Sequence, residues 1–296
     1  MSTATEIDAA AESNTEARLL ALRRPVWIGY SRAQTILQQM DDIFHHPKTH
    51  RMPNLAIIGE TNNGKTMLLN AFVRRHTPTE EEQIAKPTLP ILMLQAPPEP
   101  HEGRLYSDIL VRLFSHAGAR ETAEAKLQRI RLLLTSLETR VVILDEFQNA
   151  LAGTGAKLRR FLNGIKYLGN ELKLPIVVAG TPETLNVLQS DPQIANRFEP
   201  AFLPKWRLDG DYLRLLATIE PKLGLKMHSK LHDTKIAKAL HQESEGTIGE
   251  LMKLLQLLAK DAITSGKEVI TSDMVQRDHL EKIGWKPPSI RNRYER

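Results

Sequence analysis

The sequence predicts an α/β protein in which a parallel sheet is covered by helices and followed by a separate helical unit. Three observations predict it. Strand-length apolar runs alternate with helical-period stretches from Asn54 to Ala179. A glycine-bearing loop joins the first of these runs to a helix between Gly59 and Thr66. Past Asp209 strand signals vanish and only helical periodicity remains. Strands separated by helices require right-handed crossovers, which place the strands parallel and cover both faces of the sheet.

Composition bounds the alternatives. The chain has 296 residues, 40 Lys+Arg against 35 Asp+Glu, no Cys and 41% hydrophobic content. At a prior of about 150 residues per domain, that is one large domain or two smaller ones, with enough apolar residues to bury a core and exclude disorder as the main state. The absence of cysteine excludes a disulfide framework, a thiolate metal site and a thiol nucleophile, and agrees with a reducing, cytoplasmic setting. The apolar runs at 55–58, 91–94, 141–144 and 176–179 are too short to span a bilayer, so a soluble chain is expected. Glu6, Asp8 and Glu12 stand where a signal peptide would carry its basic and apolar regions. A net charge of +5 and a pI near 9.3 permit a polyanionic partner, although the surplus is modest.

Taken in order, residues 1–23 read as an irregular or weakly helical leader. Ile36, Leu37, Met40 and Ile43 recur at helical spacing within Ser31–Phe44. A basic loop spans His45–Pro53, and the buried-type strand Asn54–Gly59 precedes a helix over Thr66–Arg75. The alternation continues with a strand at Ile91–Leu94, helices near Tyr106–Ala117 and Thr122–Leu137, a strand at Val141–Leu144, a helix over Lys157–Leu172 and a strand at Pro175–Ala179. Helices are expected near Asp211–Ile219, Thr234–Glu243, Ile248–Ser265 and Ser272–Leu280. Lys286, Arg291, Arg293 and Arg296 mark a flexible basic tail in which Pro287-Pro288 discourages helix at the start. The resulting division is a leader at 1–23, an α/β core at 24–208, a helical lid at 209–284 and a tail at 285–296.

Gly59-Glu60-Thr61-Asn62-Asn63-Gly64-Lys65-Thr66 matches G-x-x-x-x-G-K-[ST], with Met67 continuing into the helix. Its placement between a strand end and a helix start is what the chemistry needs. Backbone N–H groups and the positive helix end form a cradle for a triphosphate, Lys65 neutralises the β and γ phosphates, and the Thr66 hydroxyl ligates Mg²⁺. Val141–Leu144 ends in Asp145 and Glu146. Asp145 is placed to hold the Mg²⁺ shell and Glu146 to orient and deprotonate an attacking water. Two adjacent acids at a strand end are otherwise simply solvated; the upstream phosphate loop favours the chemical role. Thr181, at the tip of the next strand, reads equally as a hydrogen-bonding group for the water or γ phosphate and as a helix cap. Arg197 in Asn196-Arg197-Phe198 is, from local sequence alone, an arginine on a surface loop.

The order of these motifs, with a following helical lid, resembles the AAA+ P-loop ATPases. More narrowly, Trp27-Ile-Gly-Tyr30, His50-Arg-Met-Pro-Asn54, Asp145-Glu-Phe-Gln-Asn149, Asn170-Glu-Leu172 and Gly180-Thr-Pro-Glu183 resemble the TniB family of transposon ATPase subunits, over about Arg24 to Gly284. The resemblance implies a sheet of order 5-1-4-3-2 with a further strand near Ala201–Leu203. It makes Arg197 a trans-acting arginine finger and brings Trp27 and Tyr30 toward the adenine, where an aromatic cluster packing the leader is the simpler reading. It also implies an ATP- and Mg²⁺-dependent regulator that forms rings or helical filaments on double-stranded DNA. Such a regulator recruits a DDE transposase of TniA type, often with a TniQ-like targeting protein, and does not cut DNA itself. Gly249 stands where many AAA+ lids carry a sensor arginine, which points to weaker coupling between nucleotide state and lid, or to slow hydrolysis; Lys253 is a candidate to compensate.

Arg104, Lys157, Arg159, Arg160 and Lys166 are candidate DNA contacts on loops or helices that would face a central channel, although charged helix faces are ordinarily just solvated. Two other functions fit the same motifs. A helicase loader or initiator-like ATPase would keep the site and change the client. An assembly scaffold would bind nucleotide with negligible hydrolysis.

Overall fold

The computed structural model describes residues 14–115, 118, 121–153 and 155–291. The expectations for residues 1–13 and for the tail beyond Arg291 lie outside the described residues. The chain divides into two compact units, one spanning Ser31–Pro204 and the other formed by the chain up to Tyr30 together with the chain from Lys205 onward.

The first unit is built on five parallel strands, β1 (Asn54–Gly59), β2 (Ile91–Gln95), β3 (Val141–Asp145), β4 (Ile176–Gly180) and β5 (Phe198–Leu203), in the order β2-β3-β4-β1-β5. This is the order 5-1-4-3-2 expected from the resemblance. Every residue of β1, β3 and β4 is buried, as a parallel sheet covered on both faces requires. Fully burying each large aliphatic side chain stabilises by about 1.5–3 kcal/mol, so these three strands anchor the unit.

The helices of this unit follow from apolar periodicity and caps. They are α1 (Ser31–His45), α2 (Lys65–Arg75), α3 (Glu80–Ala85), α4 (Glu102–Arg112), α5 (Ala123–Ser136), α6 (Gly155–Leu172), α7 (Glu183–Gln189) and α8 (Pro192–Ala195). Helix α6 buries Phe161, Leu162, Ile165, Leu168 and Leu172 along one side, at the spacing that a 3.6-residue turn brings onto one face. Helix α4 begins before the expected Tyr106, because the His101 ring accepts the Arg104 N–H at 3.1 Å and caps a start, Glu102-Gly103-Arg104, without apolar side chains. It ends at Arg112.

The second unit contains α9 (Gly210–Ile219), α10 (Thr234–Ser244), α11 (Ile248–Thr264), α12 (Arg277–Lys282) and α13 (Pro288–Arg291). Asp209 Oδ1 caps α9, accepting the Asp211 and Tyr212 N–H groups at 3.0 and 3.1 Å. Residues 271–276 form turns instead of the expected start of α12, with Met274 N–H and Gln276 N–H bonding three residues back.

Two divisions differ from those read in the sequence. Residues 24–30 group with the helical unit: Ile28 is buried in its core and the Tyr30 ring meets Trp206 edge-on at 4.7 Å. The tail is docked as far as Arg291. Trp285 is buried and donates to Glu243 at 3.1 Å, the Ser289 N–H donates to Glu245 at 2.8 Å, and Arg291 pairs with Glu250. The leader is helical over 14–22 and tied down by Arg18, which donates to Glu268 at 2.6 Å.

Candidate functional site

In open parallel sheets, ligands gather beyond the carboxyl ends of the strands. Here that edge carries the loop after β1, the acids ending β3 and the tip of β4.

The loop turns through left-handed residues. Asn62 has φ 60° and Gly64 φ 86°, the latter a conformation that glycine adopts without the clash a Cβ would bring. Gly64 is also the N-cap of α2, so the unpaired N–H groups of that helix open onto the loop. Lys65 is 5% exposed, and its Nζ donates to the Gly59 and Glu60 carbonyls, each at 2.9 Å. Burial pushes the Lys65 ammonium below its ordinary value, while the Glu146, Asp145 and Glu60 carboxylates pull it back up. Asn63 is buried and donates to the Leu203 and Pro204 carbonyls at 2.8 and 3.1 Å, which ties the loop to the end of β5.

The two motifs meet. The Thr66 hydroxyl donates to Asp145 Oδ2 at 2.7 Å, and Asp145 is buried at the end of β3. The residues suit a magnesium-bound triphosphate. A hydroxyl and a carboxylate lie side by side, a buried lysine donates to two carbonyls, and among the described residues Asn63 Oδ1 is a buried acceptor without a hydrogen bond. Among the described residues, no cluster of three or more His, Asp or Glu side chains offers an alternative metal site.

Thr181 follows β4, and its N–H donates to Gln148 Oε1 at 3.2 Å. Its side chain also hydrogen-bonds the Glu183 carboxyl, which together with the Glu183 backbone holds that carboxyl below its ordinary value. Thr181 therefore stands at the ligand edge and serves the first turn of α7 at once. The Glu146 carboxylate accepts a hydrogen bond from Gln148. Gln148 falls inside the Asp145–Asn149 stretch that carries the family resemblance, but the sequence assigns it no role in the site.

Arg197 lies at the opposite end of the sheet. It immediately precedes Phe198, which pairs with Asn54 at the start of β1, whereas Leu203 pairs with Gly59 at the phosphate loop. Five strand steps separate those ends, roughly 17 Å. Its guanidinium donates to Asn170 Oδ1 at 2.8 Å in a cleft also lined by Met52, Asn54, Lys166 and Phe198. Lys166 reaches Gln193 at 2.8 Å in that neighbourhood, apart from Lys157, Arg159 and Arg160, which are exposed at the start of α6. Arg104 is exposed beside Asp108 at 3.8 Å. Trp27 and Tyr30 belong to the helical unit, and Lys253 is engaged by Glu250 at 2.9 Å.

A family model described as bacterial TniB protein matches residues 18–208. The chain belongs to the TniB family. No curated protein sequence matches it. Among solved structures, this TniB-family chain is similar to CDC6P from Pyrobaculum aerophilum, with a TM-score of 0.62 and 15% identity over 88% of this chain and 70% of that one. It is also similar to the Aeropyrum pernix ORC2 protein, solved in ADPNP-ADP complexes, with a TM-score of 0.59 and 15% identity over 88% and 69% of the two chains. Drosophila ORC bound to DNA matches with a TM-score of 0.57 and 15% identity over 91% and 66%. At such identities the likeness establishes the AAA+ fold. No helix among the described residues is long and apolar enough to cross a membrane.

Proposed function

We propose that this TniB-family chain is a cytoplasmic, Mg²⁺-dependent ATPase of slow turnover that oligomerises on double-stranded DNA and passes that target to a DDE transposase of TniA type, with a TniQ-like protein as a further partner. One observation carries the assembly: Lys65, Thr66, Asp145 and Glu146 gather at one edge of the sheet, while Arg197 stands at the other, beyond reach of its own phosphate loop. A second copy that brings Arg197 to this edge completes the site, and its planar guanidinium stabilises charge on the transferred phosphoryl group.

Within one copy the roles divide by position. Lys65 and the N–H groups at the start of α2 grip the phosphates, and Thr66 and Asp145 hold Mg²⁺, which supplies charge neutralisation. Glu146 accepts the proton of the attacking water as the water oxygen bonds to the γ phosphorus and the bond to the bridging oxygen breaks. Thr181 orients the water or phosphate from the tip of β4. Trp27 and Tyr30 contact the base. Arg104, Lys157, Arg159, Arg160 and Lys166 supply backbone contacts to DNA that give affinity without sequence preference and weaken steeply with salt. The initiator-like neighbours share the fold and favour no particular client.

Complementation in trans tests this reading. Lys65→Ala and Arg197→Ala copies are each expected to be inactive, and mixing them should restore phosphate release together with assembly on duplex DNA. Electron microscopy with a non-hydrolysable ATP analogue should show rings or filaments. A mixture that stays inactive, or a field of lone monomers, would contradict the proposal.

A further inference from the structure

Two of the stretches that carry the family resemblance, His50–Asn54 and Asn170–Leu172, lie at the end of the sheet away from the phosphate loop. The fold brings both to Arg197. Arg51 donates to the Asn196 carbonyl at 2.9 Å, the peptide immediately before the arginine. Met52 and Asn54 line the cleft that holds the Arg197 side chain. Asn54 is buried and its Oδ1 accepts the Ile176 N–H at 2.8 Å, which pins that end of the cleft across β1 and β4. From the second stretch, Asn170 Oδ1 accepts a hydrogen bond from Arg197 Nη1 at 2.8 Å.

Two features of this contact suit a cation that acts outside its own copy. Asn170 stands in the last turn of α6, the negative end of an 18-residue helix, which favours a guanidinium without supplying a carboxylate. The amide oxygen is neutral, so it engages one N–H of a group that has five and leaves the positive charge uncancelled. Among the described residues, no carboxylate forms an ion pair with Arg197.

An arginine side chain loose in solvent populates many rotamers, and few of them aim at a neighbour. A bond made before that neighbour arrives removes the disorder in advance and sets the charge where negative charge will develop. We propose that Asn170 is a positioning residue for the reaction in the adjoining copy: it fixes the Arg197 guanidinium for the γ phosphate there and leaves its charge free to act. This rests on Arg197 being the trans-acting finger of the proposed ATPase.

Phosphate release by the full-length chain on duplex DNA tests it in Asn170→Ala, Asn170→Asp and Arg197→Ala. Asn170→Ala should lower kcat about tenfold, the equivalent of one hydrogen bond lost, with KM for ATP unchanged because its own phosphate loop is intact. Asn170→Asp keeps the size and the bond but pairs the guanidinium with a carboxylate, so its kcat should fall at least as far. Mixing separates aim from folding. Lys65→Ala copies are inactive yet carry both Asn170 and Arg197, so adding them should restore turnover per Asn170→Ala copy toward wild type. Adding Arg197→Ala copies should not, and a chain merely weakened by the substitution would gain from neither. With Arg197→Ala inactive, a wild-type kcat in either Asn170 variant, or no rescue by Lys65→Ala, overturns the role of Asn170 alone. If Arg197→Ala itself turns over at the wild-type rate, the finger is misassigned and the role of Asn170 falls with it.

Discussion

The two units treat buried charge differently. In the helical unit, half-buried carboxylates are closed off by protein partners. Glu220 accepts N–H groups from Ser229, Lys230 and Leu231 at 2.8, 3.1 and 2.9 Å, and Glu268 accepts Arg18 at 2.6 Å. In the α/β unit, the buried Lys65 ammonium donates to two carbonyl oxygens, and of the carboxylates whose charge it feels Asp145 accepts from a hydroxyl and Glu146 from an amide. A closed charge network specifies where chain segments sit. An open one, with a cation hydrogen-bonded to carbonyls while the nearby carboxylates bind other groups, is arranged to receive a ligand.

Removing the open charge should have the largest functional effect. Lys65→Ala should lower ATP affinity at least about a hundredfold and abolish ATP-dependent retention on DNA, while the thermal midpoint of the ligand-free chain barely moves. Calorimetric titration and a melting curve measure the two effects, and a chain that keeps its affinity would end the contrast. Substituting a closed charge should do the reverse. Glu220→Ala leaves the Ser229 and Leu231 N–H groups part-buried and unpaired, while the exposed Lys230 N–H turns to water, which should cost about 2–3 kcal/mol in denaturant unfolding with ATP affinity unchanged.

The smallest effect sharpens the comparison through pH. The Arg18 hydrogen bond is the main reason the Glu268 carboxyl falls to about 2, against the opposing effect of burial and with help from the Lys226 N–H and the charges of Arg18 and Lys226. A lowered folded-state value means stability that is present above the unfolded-state value and is lost as pH falls toward 2. Arg18→Ala should therefore cost about 1 kcal/mol at neutral pH, with the difference from wild type vanishing under acid. A pH-independent loss would instead assign Arg18 a packing role.

Local signals placed most elements. The bounds of β1 and the run of β3 follow from uninterrupted apolar residues bounded by turns, and α6 from its apolar stripe. Strand β5 was harder, because Phe198-Glu199-Pro200-Ala201 breaks both alternation and β-propensity. It forms because β5 is an edge strand beside β1 alone, where a proline without an N–H is tolerated. The start of α4 was hidden for another reason: a histidine ring supplies the cap, and Glu102, Gly103 and Arg104 carry no apolar side chain to announce it.

The sequence by itself determined the chemistry on offer: the loop that can cradle phosphates, its lysine, the paired acids, and the alternation that demands a parallel sheet. Those depend on residues adjacent in the chain or on periodicity, both visible in a string of letters. Only the tertiary structure decided that Thr66 meets Asp145, that Arg197 stands at the far end of the sheet, that Gln148 spans two strands and that the tail is clasped as far as Arg291. Each of these joins segments that packing brings together across long stretches of chain, and no local propensity encodes which distant partner a side chain will find.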